Sequence, residues 1–274
     1  MTHIELEGVH IEVAHIAGPS AKSPLVFLHE GLGSISTWTQ RGRNWPAELC
    51  AATGRAGWLY SRRGYGQSDP VPDVRSPHHP PDRTSPLWST GRHAPDYMHR
   101  EAVGVLPALF KTLGITAPLL VGHSDGATIA LIHASLHSVS ACVAMAPHAF
   151  VEDMTIRSIE HARDSFLADN ATLRTKLARH HLDADNAFWQ WNDIWLSAAF
   201  RHFDIRPNCR ALTAPLLLMQ GLDDEYGSLR QLHDIAQAAP QAQTRLLPGC
   251  GHSPHRDAPD AAIEAIRAFV DSCP

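Results

Sequence analysis

Pro118-Leu119-Leu120-Val121-Gly122-His123-Ser124-Asp125-Gly126-Ala127 decides how this 274-residue chain is read. The apolar run Pro118 to Val121 has the length of a buried strand, and a helical pattern starts near Ala127. Between them stands G-x-S-x-G. In a strand–turn–helix setting this motif has a mechanical meaning: a sharp turn lifts the serine hydroxyl above the sheet, and flanking glycines avoid a collision with neighbouring backbone. The helix that follows offers free N–H groups to developing negative charge. Ser124 is the candidate nucleophile.

Working outward, similar apolar runs recur at Pro24 to Leu28, Ala56 to Tyr60, Ala141 to Ala146 and Pro215 to Met219, with helix-length segments between several of them. Such runs predict an α/β architecture, a mostly parallel central sheet flanked by helices. Helices are expected at Arg100 to Leu113, Gly126 to Leu136 and Pro259 to Val270, the last preceded by a strand at Gln243 to Leu247. Ile4 to Glu7 and His10 to Ile16 alternate apolar and polar residues around Gly8 and read as a hairpin of edge strands. Two stretches break the rhythm. Asp69 to Asp96 carries prolines at 70, 72, 77, 80, 81, 86 and 95 and must be a loop excursion. Between Ala146 and Pro215 the patterning is helical without a good strand, which predicts an inserted helical cap at 147–207 within a core of 1–146 and 208–274.

Composition removes several function classes. Lys+Arg 23 against Asp+Glu 28, with no basic run, leaves nothing to neutralise a row of phosphates, so no nucleic-acid partner is expected. No apolar stretch approaches the roughly 20 residues of a membrane helix, so no membrane partner is expected either. The start Met1-Thr2-His3-Ile4-Glu5 lacks the basic cap and apolar core of a signal peptide, which points to the cytoplasm. Cys50, Cys142, Cys209, Cys250 and Cys273 are odd in number and widely spaced, as reduced thiols would be. A homo-oligomer is compatible with all of this.

A serine needs a base, and the base needs an orienting acid. Gln220-Gly221-Leu222-Asp223-Asp224 follows the run ending at Met219, and Gly249-Cys250-Gly251-His252-Ser253-Pro254-His255 follows the expected strand ending at Leu247. Both lie at carboxyl ends of strands, where open parallel sheets place their sites. With the order Ser, Asp, His, the chain resembles the α/β-hydrolase superfamily over nearly its whole length. Phe27-Leu28-His29-Glu30-Gly31-Leu32-Gly33-Ser34 resembles that family's oxyanion loop, and Ser61-Arg62-Arg63-Gly64-Tyr65-Gly66-Gln67-Ser68 its Arg-Gly-x-Gly-x-Ser turn. The resemblance implies Asp224 rather than Asp223 as the acid and His252 rather than His255 as the base. It also implies the backbone N–H groups of Asp125 and Gly31 as oxyanion donors, with Glu30 as the alternative to Gly31.

Two carboxylates depart from the family pattern. Glu30 stands where a second glycine is usual, and Asp125 follows the nucleophile where an apolar or amide residue is commoner. Either they brace loops, or their charge shapes the pocket against anionic substrates. Phe188, Trp191 and Trp195 share one helical face of the expected cap, which both packs down and roofs the cleft, so Trp191 and Trp195 join Glu30 as substrate-binding candidates. The pairs His78-His79 and His180-His181, the latter near Asp183 and Asp185, match no metal-ligand spacing, and no G-x-G-x-x-G turn is present. No metal or cofactor is expected.

The expected activity is a serine hydrolase that cleaves an ester, lactone or thioester of a small, mostly apolar or aromatic substrate. Hydrolysis of a carbon–carbon bond in a ring-cleavage product is the alternative on the same triad. A catalytically silent ligand receptor is the alternative of another class.

Overall fold

The computed structural model describes residues 2–19, 21–76, 85, 87–168 and 172–273. His78 and His79 lie outside the described residues. Eight strands form one sheet: β1 (Thr2–Leu6), β2 (Val9–Ile16), β3 (Leu25–Leu28), β4 (Gly57–Tyr60), β5 (Leu119–His123), β6 (Ala141–Met145), β7 (Leu216–Gly221) and β8 (Gln243–Leu247). Their order across the sheet is β1-β2-β4-β3-β5-β6-β7-β8. β2 runs antiparallel to both β1 and β4, and every pairing from β4 to β8 is parallel.

The helices are α1 (Trp45–Thr53), α2 over 97–113, α3 (Asp125–Ala134), α4 (Asp153–Leu167), α5 (Thr172–Leu177), α6 (Ala184–Trp195), α7 (Arg206–Cys209), α8 (Arg230–Ala238), α9 (Pro254–Asp257) and α10 (Pro259–Ser272). Two expectations need correction. Only β1 is an edge of the hairpin, because β2 also pairs with β4 through Val13 to Ile16. The helix expected from Arg100 starts at Tyr97 and passes through a π-turn at Glu101–Val105 before ending at Leu113. Alternation along a strand shows which face is solvated but not how many neighbours the strand has.

The two faces of the sheet are separate apolar layers, set by the period of two along each strand. Leu25, Phe27, Leu119, Val121, Val143, Met145, Leu217 and Met219 point to one side, where Trp45 and Leu49 of α1 and Ile266, Phe269 and Val270 of α10 cover them. Val26, Leu28, Leu120, Cys142, Ala144, Leu216 and Leu218 point to the other, beneath Leu106 and Leu109 of α2, Ile129 to Ile132 of α3, and Leu232 and Ile235 of α8. All ten residues of α3 are buried, which fixes the helix behind Ser124 on both sides. The chain between β6 and β7 carries α4 to α7, and Phe166 of α4 stacks on Phe188 of α6 at 3.8 Å.

Candidate active site

Ser124 joins β5 to α3 at φ 54°, ψ −117°. This left-handed backbone is costly for a non-glycine residue and persists only where the surroundings hold it. Here a Cβ on Gly122 would collide with the backbone of Gly126 and Ala127, and one on Gly126 with the Leu28 carbonyl. The packing that demands glycine on both sides is the packing that holds the serine in its strained turn.

The Ser124 hydroxyl lies 2.9 Å from His252 Nε2, and His252 Nδ1 lies 2.8 Å from Asp224 Oδ1. A carboxylate only accepts, so Nδ1 carries the proton and Nε2 is free to accept from the serine. Asp224 also accepts from the Tyr226 N–H at 2.8 Å, the Gly227 N–H at 3.2 Å and Gln220 Nε2 at 3.1 Å. Burial opposes its ionisation, but the His252 hydrogen bond and charge, with the Tyr226 N–H, outweigh that and hold its pKa below the usual carboxylate range. Asp223, one residue earlier, is exposed. His255 is buried in α9 against Trp38 and His123, away from the hydroxyl.

The loop after β3 is braced from beneath. Arg62 donates to the carbonyls of His29 at 2.6 Å and Glu30 at 2.9 Å. His29 Nδ1 donates to the Glu30 carbonyl at 2.7 Å, and its Nε2 accepts from the Arg62 N–H at 3.0 Å. Gly31 is required because a Cβ there would strike the Trp191 indole. Among the described residues, no hydrogen bond engages the Gly31 N–H.

Both unusual carboxylates have partners. The Tyr97 hydroxyl donates to Asp125 Oδ2 at 2.6 Å and accepts from the Trp195 indole N–H at 3.1 Å, tying α2, α3 and α6 together. Burial pushes the Asp125 carboxyl up, against the pull of Arg62, Tyr97 and Trp195. Glu30 folds back over Gly33, with Oε2 at 3.4 Å from His123 Nδ1. His123 Nε2 in turn donates to the His252 carbonyl at 2.8 Å. Burial resists ionisation of Glu30, yet the His123 hydrogen bond and the neighbouring imidazoles His123, His255 and His29 hold its pKa well below the usual range. Its side chain keeps 22% of its surface exposed, at the wall of the site.

A cavity of about 210 Å³ opens above the hydroxyl. Glu30, Trp191 and Trp195 all line it, while Phe188 of the same helical face packs into α4. His148, Thr155 and Tyr226, which no motif in the sequence marks, line it too. For His148 a signal was present, since it follows the end of β6 as Asp224 follows β7 and His252 follows β8. The suspected metal ligands disperse: His180 contacts Ser36, His181 contacts Gly66 and Leu32, Asp183 caps α6, and Asp185 pairs with Arg174. Among the described residues, no group of three or more His, Cys, Asp or Glu is placed to hold a metal ion.

A family model described as "Alpha/beta hydrolase family" matches residues 25–265. The chain belongs to this alpha/beta hydrolase family. It is 23% identical to the sn-1-specific diacylglycerol lipase ABHD11 of Mus musculus, over 92% of this chain and 82% of that protein. Among solved structures, a thermophilic esterase from Thermogutta terrifontis superposes with a TM-score of 0.72 at 16% identity, covering 99% of this chain and 98% of that one. The enol-lactonase from Burkholderia xenovorans LB400 superposes with a TM-score of 0.70 at 16% identity, covering 99% and 100%. At these identities the superpositions show the alpha/beta hydrolase fold.

Proposed function

We propose that this alpha/beta hydrolase is a serine hydrolase that cleaves a carboxylic ester, lactone or thioester through an acyl-enzyme on Ser124. The observation that carries the reading is the unbroken relay from Ser124 Oγ through His252 to Asp224, with both steps below 3 Å and a strained turn presenting the hydroxyl.

In this mechanism Ser124 attacks the carbonyl carbon while His252 Nε2 takes its proton. Asp224 orients the imidazole and stabilises the imidazolium that forms. The N–H of Asp125, first residue of α3, and that of Gly31 receive the oxyanion. His252 then protonates the leaving oxygen or sulfur, and the same imidazole activates the water that releases the acyl group. The Asp125 side chain is turned to the Tyr97 hydroxyl, and burial disfavours its charged form, which weakens its opposition to the oxyanion.

Residues 147–207 act as a cap. Thr155, Ile159, Trp191 and Trp195 from this segment line the same cavity as Ser124. A cavity of about 210 Å³ with two indoles suits a small substrate with an apolar or aromatic part. The test is labelling by a fluorophosphonate probe together with turnover of aryl esters. Ser124→Ala should lose labelling and about 10³- to 10⁶-fold in kcat while keeping its circular dichroism. Retention of a tenth of the activity would reject the serine mechanism.

A further inference from the structure

The turn after β6 presents a polar group that the relay does not use. Ala146 stands at φ 49°, a left-handed conformation that costs an alanine free energy and needs external support. That support is visible. The Ala146 N–H donates to the Met219 carbonyl at 2.7 Å, and the His148 N–H donates to Thr128 Oγ1 at 2.9 Å, on the helix behind the nucleophile. The His148 ring is thereby held between Trp195 and His252, with ring centres 5.1 and 5.6 Å away, in the wall of the cavity that contains Ser124.

His148 is 2% exposed as a residue, and its buried Nδ1 has no hydrogen-bond partner among the described residues. Two neighbouring wall residues spend polar atoms inside the chain: Thr155 Oγ1 donates to the Tyr226 carbonyl and the Trp195 indole to Tyr97. A buried nitrogen left unpaired is unfavourable, and folded proteins tolerate one chiefly where a ligand or water completes it. Burial, and then the charge of His252, push His148 down to about 3, so the imidazole is neutral at neutral pH. A neutral imidazole has one donor and one acceptor nitrogen. A hydroxyl, which both donates and accepts, satisfies either tautomer, whereas a carboxylate requires the proton on the facing nitrogen and an ammonium requires it on the other.

We infer that His148 is a specificity-determining residue that hydrogen-bonds a hydroxyl group carried by the acyl part of the substrate close to the scissile carbonyl. The His148 and His252 rings are 5.6 Å apart between centres, so the hydroxyl assigned to His148 is one carried close to the carbonyl, on a 2- or 3-carbon. The inference rests on the serine-hydrolase reading and names its substrate class as esters, lactones or thioesters of short 2- or 3-hydroxy acids.

The probes are p-nitrophenyl esters of lactic and 3-hydroxybutyric acid, each set against its deoxy partner, propionate or butyrate. Every kcat/KM is divided by the rate with hydroxide to remove intrinsic reactivity. The wild-type protein should favour the hydroxylated ester of at least one pair by about 10- to 100-fold. His148→Leu should bring that ratio to within about threefold of one, and His148→Gln, which keeps a donor and an acceptor, should restore part of it. Equal corrected values for both pairs in the wild type would overturn the inference, and this measurement requires no variant to fold. A preference that survives His148→Leu would overturn it as well. Fluorophosphonate labelling separates the two levels: a labelled Ser124 with flat ratios rejects the role of His148 alone, whereas an unlabelled protein that turns over no ester rejects the hydrolase reading and the inference with it.

Discussion

Acidification from pH 7.5 to 5 should destabilise this protein, because several buried histidines are needed in their neutral form. His181 Nδ1 accepts from the Gly66 N–H at 2.9 Å while its Nε2 donates to the Leu32 carbonyl at 3.0 Å, so a second proton would break the first bond. His29 has the same arrangement between Arg62 and Glu30. Burial pushes His133 and His181 down to about 4 and His148 and His255 down to about 3, and it also lowers His29. An unfolded histidine titrates near 6.5. Below that pH the unfolded chain therefore binds more protons than the folded one, and stability falls as pH falls, down to the folded values. At pH 5 the linkage amounts to about 2 kcal/mol for each group. Four such groups approach the whole stability of a typical domain, about 5–15 kcal/mol. Asp125 and Glu101, whose carboxyls burial raises, work in the opposite sense and offset part of this loss as they take up protons. The lowered pKa of Asp224 adds to the loss only below its unfolded value near 3.9, outside this window. The net expectation is a loss of at least about 3 kcal/mol between pH 7.5 and 5, measured by urea unfolding at intervals of half a pH unit. His255→Gln should flatten the slope by up to about 1.4 kcal/mol per pH unit. A stability constant to within about 1 kcal/mol across this range would show that the buried histidines do not control it.

Two substitutions probe the site itself. Asp224→Asn removes the acceptor that fixes the His252 tautomer and should lower kcat by about 10⁴-fold, whereas Asp223→Asn, at an exposed position, should cost less than about tenfold; the reverse ranking would move the acid by one residue. Glu30→Gln removes a charge at the cavity wall while preserving shape, so kcat/KM for a carboxylate-bearing ester should rise about five- to tenfold relative to its neutral isostere. If both esters change alike, Glu30 serves as a brace for His123 and the loop around Gly33.

The α/β class is legible in the chain alone, because runs such as Pro118 to Val121 have to be buried on both faces, and a parallel sheet under helices buries them so. It also marked Ser124, Asp224 and His252 as candidates, since each follows the end of a strand in a local pattern of glycines that needs no distant partner to be recognised. Strand β8 was legible to the residue although its first four positions are exposed, and β2 was not legible as a doubly paired strand, because the period of two reports faces and not neighbours. The fate of Glu30 and Asp125 was beyond the sequence. Whether a carboxylate faces an oxyanion or a hydroxyl depends on groups 28 and 93 positions away, Tyr97 and His123, which only the packed helices and crossing strands bring near. His148 shows the same division. Its position after a strand was visible in the chain, but its unpaired nitrogen exists only because Ala146 is held in a strained turn by Met219 on the neighbouring strand and Thr128 anchors His148 on the helix beneath. Local patterns specify elements and turns, whose energetics are short-range; the direction of a buried polar group is set by long-range contacts that form together with the core.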